Sequence, residues 1–82
     1  MFNAKVIVTL KKGVLDPQGS AVERACKSHG YTDISDVRIG KMIQLVINTS
    51  DRSAAESEVK KLADELLANP IMEDYVIHLE EA

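Results

Sequence analysis

A single cysteine, Cys26, in 82 residues excludes an internal disulfide and the four-cysteine zinc sites that staple many small domains. Tryptophan is absent, and one Phe and two Tyr are too few and too scattered to build the base-stacking platform of an RNA-recognition module. No apolar run approaches the ~20 residues that a membrane-spanning helix needs, and no charged-then-apolar signal opens the chain. The expectation is a cytoplasmic protein. Positive charge is not in excess either: ten basic and thirteen acidic residues leave a formal charge of −3. The concentrated positive field required for non-specific nucleic-acid binding is therefore missing.

What is present suits one small folded domain, residues 1–82. Charged residues at 28% and hydrophobic ones at 45% are ordinary globular usage, which argues against disorder. A chain of this length buries only about 60–65% of its unfolded surface, so a lone monomer would be marginally stable. Oligomerisation is a common remedy and is expected here.

Asn3–Lys11 alternates, with Ala4, Val6, Val8 and Leu10 on one side and Lys5, Ile7, Thr9 and Lys11 on the other, which predicts a strand. Asp16-Pro17 then reads as a helix start, a capping carboxylate followed by a proline that loses no hydrogen bond. Ala21, Val22, Ala25 and Cys26 form the expected buried stripe, and Gly30 is a natural left-handed stop. Ile34–Ile39 and Ile43–Thr49 read as two further strands joined through Gly40-Lys41. A three-residue loop pairing Ile39 with Ile43 and Val37 with Leu45 keeps the faces cleaner than a two-residue one.

A second helix starts near Ser50-Asp51, or at Ser53 with Glu56 completing a capping box. Ala55, Val59, Leu62, Ala63, Leu66 and Leu67 give it one apolar stripe. Glu56–Lys60, Lys60–Asp64 and Lys61–Glu65 are spaced to decorate its outer side. Asn69-Pro70 ends it, and Tyr75, Ile77 and Leu79 alternate along a last strand. The order β-α-β-β-α-β is that of a ferredoxin-like α+β sandwich, an antiparallel sheet with two helices on one face. The opposite face would carry Ile7, Val46 and Val76, more apolar than a sheet usually shows to water. That face, or a strand edge beside it, is expected to meet a second copy of the chain.

Few residues invite a chemical reading. Cys26 lies mid-helix on the apolar stripe, away from the helix N-terminus that would lower its pKa, and reads as a small buried side chain. His29 fits a C-terminal dipole partner, His78 a surface or interface residue, and two isolated histidines do not make a metal site. Lys11-Lys12-Gly13 lacks the long glycine-rich loop of a phosphate cradle. For Arg38 and Lys41 two readings stand: a solvated hairpin end, or a positive contact for a partner's carboxylate or a bound phosphate. Gly19 is harder to dismiss. Glycine in a first helical turn costs roughly 1 kcal/mol against alanine, so something is expected to approach that backbone closely. Glu73-Asp74-Tyr75 reads as a solvated turn or as an interface.

Topology alone assigns no function. A metal-carrying ferredoxin-like domain would need paired cysteines after the first strand, and an acylphosphatase-like enzyme an arginine where this chain has Lys11 and Lys12. Three phrases say more. Leu15-Asp-Pro-Gln-Gly19, Asp36-Val-Arg-Ile-Gly-Lys41 and Leu66-Leu-Ala-Asn-Pro70 with Glu73-Asp-Tyr75, preceded by Lys5-Val-Ile-Val-Thr-Leu-Lys-Lys12, closely resemble the PurS family of small subunits of phosphoribosylformylglycinamidine synthase. The resemblance covers nearly the whole chain and departs from the family at Arg52–Ser57 and at the tail, His78–Ala82.

The resemblance implies a subunit of an ATP-dependent ligase of purine biosynthesis that uses glutamine as its nitrogen donor. In that reaction a PurQ-like glutaminase releases ammonia, and a PurL-like synthetase activates the amide oxygen of formylglycinamide ribonucleotide for displacement. The small subunit, a homodimer or possibly a tetramer, joins the two and carries no catalytic residue. ATP, Mg and glutamine belong to the parent complex; this chain is expected to bind none, and to contact neither nucleic acid nor membrane. The resemblance places partner contact at Asp16, Gln18, Gly19, Arg38, Gly40 and Lys41, and from Asn69 through Glu73 and Asp74 to Tyr75. The alternative is a small-molecule-sensing regulatory dimer, which would show ligand-dependent thermal stabilisation.

Overall fold

The computed structural model describes all 82 residues, Met1–Ala82. Alternation sets the first strand: β1 (Phe2–Leu10) buries Phe2, Ala4, Val6 and Val8 and turns Asn3, Lys5 and Ile7 outward. It is the middle strand of a sheet ordered β2-β1-β3, with β2 (Lys41–Ile47) and β3 (Glu73–Glu81) both antiparallel to it. Register sets Val6 between Ile43 and Ile77, and Ala4 between Leu45 and Leu79. One face is thus apolar across all three strands.

α2 (Arg52–Leu62) covers that face. Asp51 starts it, accepting the Ser53 N–H at 3.0 Å, so the earlier of the two expected starts is the one used. Ala55, Val59 and Ala63 pack on Phe2, Ala4, Val6, Val8 and Ile47 as the core. The last turn, Ala63–Leu67, is a π-turn closed by the Ala68 N–H on the Ala63 carbonyl at 3.0 Å. A wider turn takes more residues per revolution. Leu67 therefore comes over the core, and Leu66, expected in the buried stripe, is 74% exposed. None of the three expected outer ion pairs forms; Glu56 pairs with Arg52 instead, at 3.3 Å.

α1 (Pro17–Ser28) begins and ends as its sequence predicts, capped by Asp16 and followed by Gly30 at φ +94°. Its packing differs. No α1 side chain belongs to the core, Ala21, Val22 and Ala25 are exposed, and Cys26 is half-buried. The expected strand Ile34–Ile39 does not form, and with it falls the hairpin register that pairs Ile39 with Ile43. No residue from Thr32 to Gly40 makes a backbone–backbone hydrogen bond. The architecture is ferredoxin-like, an antiparallel sheet with two helices in the β-α-β-β-α-β order, but the segment in the second strand's place is unpaired.

Residues 14–39 thus make an arm leaving the sheet, and the molecule measures 50 × 27 × 14 Å. Its radius of gyration, 16.2 Å, compares with about 12 Å for a compact chain of this length. On the uncovered sheet face Met42, Ile7 and Val76 lie side by side across the three strands, all exposed.

Two substitutions separate the core from the rotated-out leucine. Val59→Ala removes two buried methyl-sized groups and should cost about 2 kcal/mol in urea denaturation, whereas Leu66→Ala should stay within about 0.5 kcal/mol. Equal losses would mean that the π-turn does not exist in solution.

Candidate functional site

Two carboxylates on one side of α1 organise the arm. Asp16 accepts the Gly19 N–H on Oδ1 at 2.9 Å and the Ile39 N–H on Oδ2 at 2.8 Å. One turn pair further on, Glu23 accepts the Val37 N–H at 3.3 Å and the Lys27 Nζ at 3.4 Å. These bonds explain the missing strand. In extended chain the N–H groups of Val37 and Ile39 point the same way, and here both are drawn to the helix. Asp36 just before them has φ 55°, in the left-handed region, which ends any strand geometry on that side.

Arg38 closes the unit from the other side. Its Nη1 donates to the Val14 carbonyl at 2.6 Å, and its Nε lies 3.6 Å from Asp36 Oδ1. Neither the solvated reading nor the partner-contact one describes this guanidinium fully, because much of its bonding is spent within the arm. The close approach expected at Gly19 is present: a Cβ there would strike the Val37 carbonyl. Gly40 is confined in the same way by the Val8 carbonyl and, at 2.8 Å, by Thr9 Cγ2. The backbone bond from Ile39 is the main reason the Asp16 carboxyl titrates below its ordinary 3.8, helped by Gly19 and by Arg38 nearby. Glu23 is lowered likewise, chiefly by the Val37 N–H.

The three phrases then meet. Asp16, Pro17 and Gln18 from the first, Ile39, Gly40 and Lys41 from the second and Glu73 from the third line an open groove of about 300 Å³, floored by Val8 and Leu10. Gln18 and Lys41 are exposed, and their side chains make no hydrogen bond or ion pair within the chain. Glu73 is partly used, its Oε1 accepting the Asn69 N–H at 2.7 Å. Asn69 in turn accepts the Ile71 N–H at 3.0 Å, so it shapes the turn before β3. Asp74 pairs with Lys11 at 2.7 Å. Tyr75 packs on the core face and donates to Asp64 at 2.6 Å, and that carboxylate raises the phenol's pKa.

Of the ten residues the sequence singles out, five line the groove: Asp16, Gln18, Gly40, Lys41 and Glu73. Gly19 and Arg38 lie behind it inside the arm, Asn69 builds the adjoining turn, and Asp74 and Tyr75 are engaged elsewhere. Sequence reasoning missed Glu23. Its signal was its position seven residues after Asp16, two helical turns along the same side. Cys26 and His29 are joined only through backbone, the His29 N–H on the Cys26 carbonyl at 3.2 Å, and His78 stands on the uncovered sheet face. What the groove offers is a mixed-charge surface with free amide and ammonium groups, suited to holding a polar partner.

Because Asp16 is lowered on folding, its contribution to stability is complete above the unfolded value near 3.8 and is lost as pH falls through the lower folded value. Asp16→Asn should therefore weaken the fold at neutral pH and flatten the acid limb of the stability curve below about pH 4, which thermal melts across pH would read. Gly19→Ala should cost roughly 1–3 kcal/mol, since the carbonyl it strikes is fixed on both sides.

The comparisons with known proteins agree along the whole chain. The PurS family model, described as phosphoribosylformylglycinamidine (FGAM) synthase, matches residues 3–81. The PurS subunit of phosphoribosylformylglycinamidine synthase from Bacillus subtilis is 49% identical over 81 residues, 99% of this chain and 95% of the relative. The corresponding subunit from Mycobacterium leprae is 44% identical over 77 residues, 94% of each chain. Among solved structures, the C2 crystal form of B. subtilis PurS superposes with a TM-score of 0.85 at 49% identity, covering 99% of this chain and 100% of that one. A chain of PurLQS from Thermotoga maritima superposes with a TM-score of 0.84 at 30% identity, covering 98% and 99%. Likeness of this extent, in sequence and in backbone together, leaves one assignment: the chain belongs to the PurS family.

Proposed function

We propose that this chain is the non-catalytic assembly subunit of phosphoribosylformylglycinamidine synthase in cytoplasmic purine biosynthesis. As a homodimer it holds a PurQ-like glutaminase against a PurL-like synthetase, so that ammonia from glutamine reaches the ATP-activated formylglycinamide ribonucleotide. The observation that carries this reading is the end-to-end likeness to a chain of the three-part PurLQS structure. ATP, Mg and glutamine are bound by the partner subunits in this account. No helix is long and apolar enough to cross a membrane. Nothing favours the alternative of a ligand-sensing dimer.

The physical logic is positional. Ammonia released into bulk water is diluted and protonated, so two docked active sites need a shared, sheltered route. A subunit achieves this through rigid surfaces held in fixed relation. The groove supplies one such surface, with Lys41 and Gln18 free for a partner and Asp16, Glu23 and Arg38 keeping its arm-side wall stiff.

Amidine formation from glutamine by the cognate synthetase and glutaminase should depend on this chain, while ammonia-driven turnover by the synthetase survives without it. Equal glutamine-driven rates in both mixtures would reject the bridging role. The two basic residues should also separate. Lys41→Gln should weaken complex formation about tenfold by light scattering or calorimetry and leave the melting temperature unchanged. Arg38→Gln should lower the melting temperature, because it opens the bond to Val14. A Lys41 variant that assembles as tightly as the parent would remove the groove from the partner interface.

A further inference from the structure

The turn leading into β3 is more apolar at its surface than a turn needs to be. Leu66 is 74% exposed, Ile71 83% and Met72 45%, three large hydrophobic side chains in one short stretch around Pro70. Single exposed apolar residues are ordinary on a protein surface, whereas several gathered on one feature mark a contact with another molecule. Leu66 is turned out by the backbone itself. A regular helix would carry it over the core with Val59 and Ala63, seven and three residues before it. The π-turn at Ala63–Leu67 presents it to solvent instead, and such turns are frequent at functional sites.

The stretch is also held still. The Asn69 N–H donates to Glu73 Oε1 at 2.7 Å, and the Glu73 N–H to the Asn69 carbonyl at 2.8 Å. Asn69 Oδ1 accepts the Ile71 N–H at 3.0 Å. The Met72 carbonyl accepts the Lys11 N–H at 2.9 Å, which ties the turn to the end of β1. Pro70 restricts the backbone further. A backbone fixed in advance has little freedom left to lose when a partner buries its side chains, which is the property of an interface anchor.

Charge says what kind of partner fits. From Asp64 to Asp74 the sequence has four carboxylates, Asp64, Glu65, Glu73 and Asp74, and no basic residue. Lys11 answers only Asp74, and the exposed Glu65 side chain makes no hydrogen bond or ion pair. A symmetric self-contact through this turn would set its acidic rim against the same rim of a second copy, which repels. An apolar pocket with a basic rim is complementary to it. The turn adjoins the groove, because Glu73 lines the one and braces the other, so one partner surface can cover both.

We infer that Leu66, Ile71 and Met72 are an apolar anchor that enters a basic-rimmed hydrophobic pocket on the same partner enzyme that occupies the groove. The anchor presupposes the bridging role above and adds the chemistry of one of the surfaces bridged. Burial in the pocket sets how long the complex lasts, while Glu65 and its neighbouring carboxylates speed the encounter.

Two measurements on the complete mixture of both cognate enzymes with their substrates test it. A chain carrying Leu66→Ser and Ile71→Ser should assemble at least about tenfold more weakly by light scattering, with an unchanged melting temperature, and Ile71→Leu should assemble like the parent. Benzoylphenylalanine in place of Ile71, or in place of Gln18 in the groove, should cross-link on illumination to the same enzyme. The segment captured at Ile71 should be apolar and flanked by Lys or Arg. A double serine variant that assembles as tightly as the parent would overturn the anchor and leave the bridging role standing. So would probes at Ile71 and Gln18 that capture different enzymes, or an Ile71 probe that captures only a second copy of this chain. A parent chain that assembles with neither enzyme would reject the bridging role and the anchor with it.

Discussion

One carboxylate holds the arm's two ends together. Asp16 has two oxygens and two separate duties, the cap of α1 through Gly19 and the capture of the returning chain at Ile39. A neutral side chain could do either job. Only a group with two strong acceptors can do both, and charge-assisted bonds to backbone N–H groups are the stronger kind. The remaining features follow from this. Gly19 must lack a side chain because the bond at Ile39 draws the Val37 carbonyl against it. Val37 and Ile39 are drawn to the helix and Asp36 is left-handed, so the segment is held away from the sheet and β2 keeps a free edge.

The parts of the fold written as local pattern were legible beforehand, and those written as competition were not. Phe2, Ala4, Val6 and Val8 announce β1 by strict alternation, and Asp16-Pro17 with Gly30 delimits α1 almost to the residue. Ile34–Ile39 has the β-branched residues of a strand, with Val37 and Ile39 in alternation. What overrides it is a pair of carboxylates fourteen and twenty-three residues away in sequence, which no local window weighs. Leu66 fails for a related reason, since a π-turn shifts the helical period that the stripe was counted on. The groove was half legible: the three phrases were visible as unusual, but that Arg38 bonds inward and Lys41 does not depends on where Val14 lies.

The start of α2 and the tail of the chain are tied to each other. Arg52 Nη2 donates to the carbonyl of Leu79 at 3.1 Å. The same guanidinium sits 6.0 Å above the Phe2 ring, and its Nε faces Glu56. One side chain thus gathers α2, β1 and β3 at the end of the sheet opposite the groove, and the groove end is left to the bonds of Asp16 and Glu23.

This division bears on why such a subunit is small. A chain of 82 residues can stabilise one sheet and one helix well; α2 and its eight-residue core use most of that capacity. The other helix is held off that core and is stiffened by polar bonds instead, from Asp16, Glu23 and Arg38 to backbone groups of residues 14–39. The groove's arm-side wall therefore owes its shape to these bonds and its floor to β1, so wall and floor are stabilised by different parts of the chain.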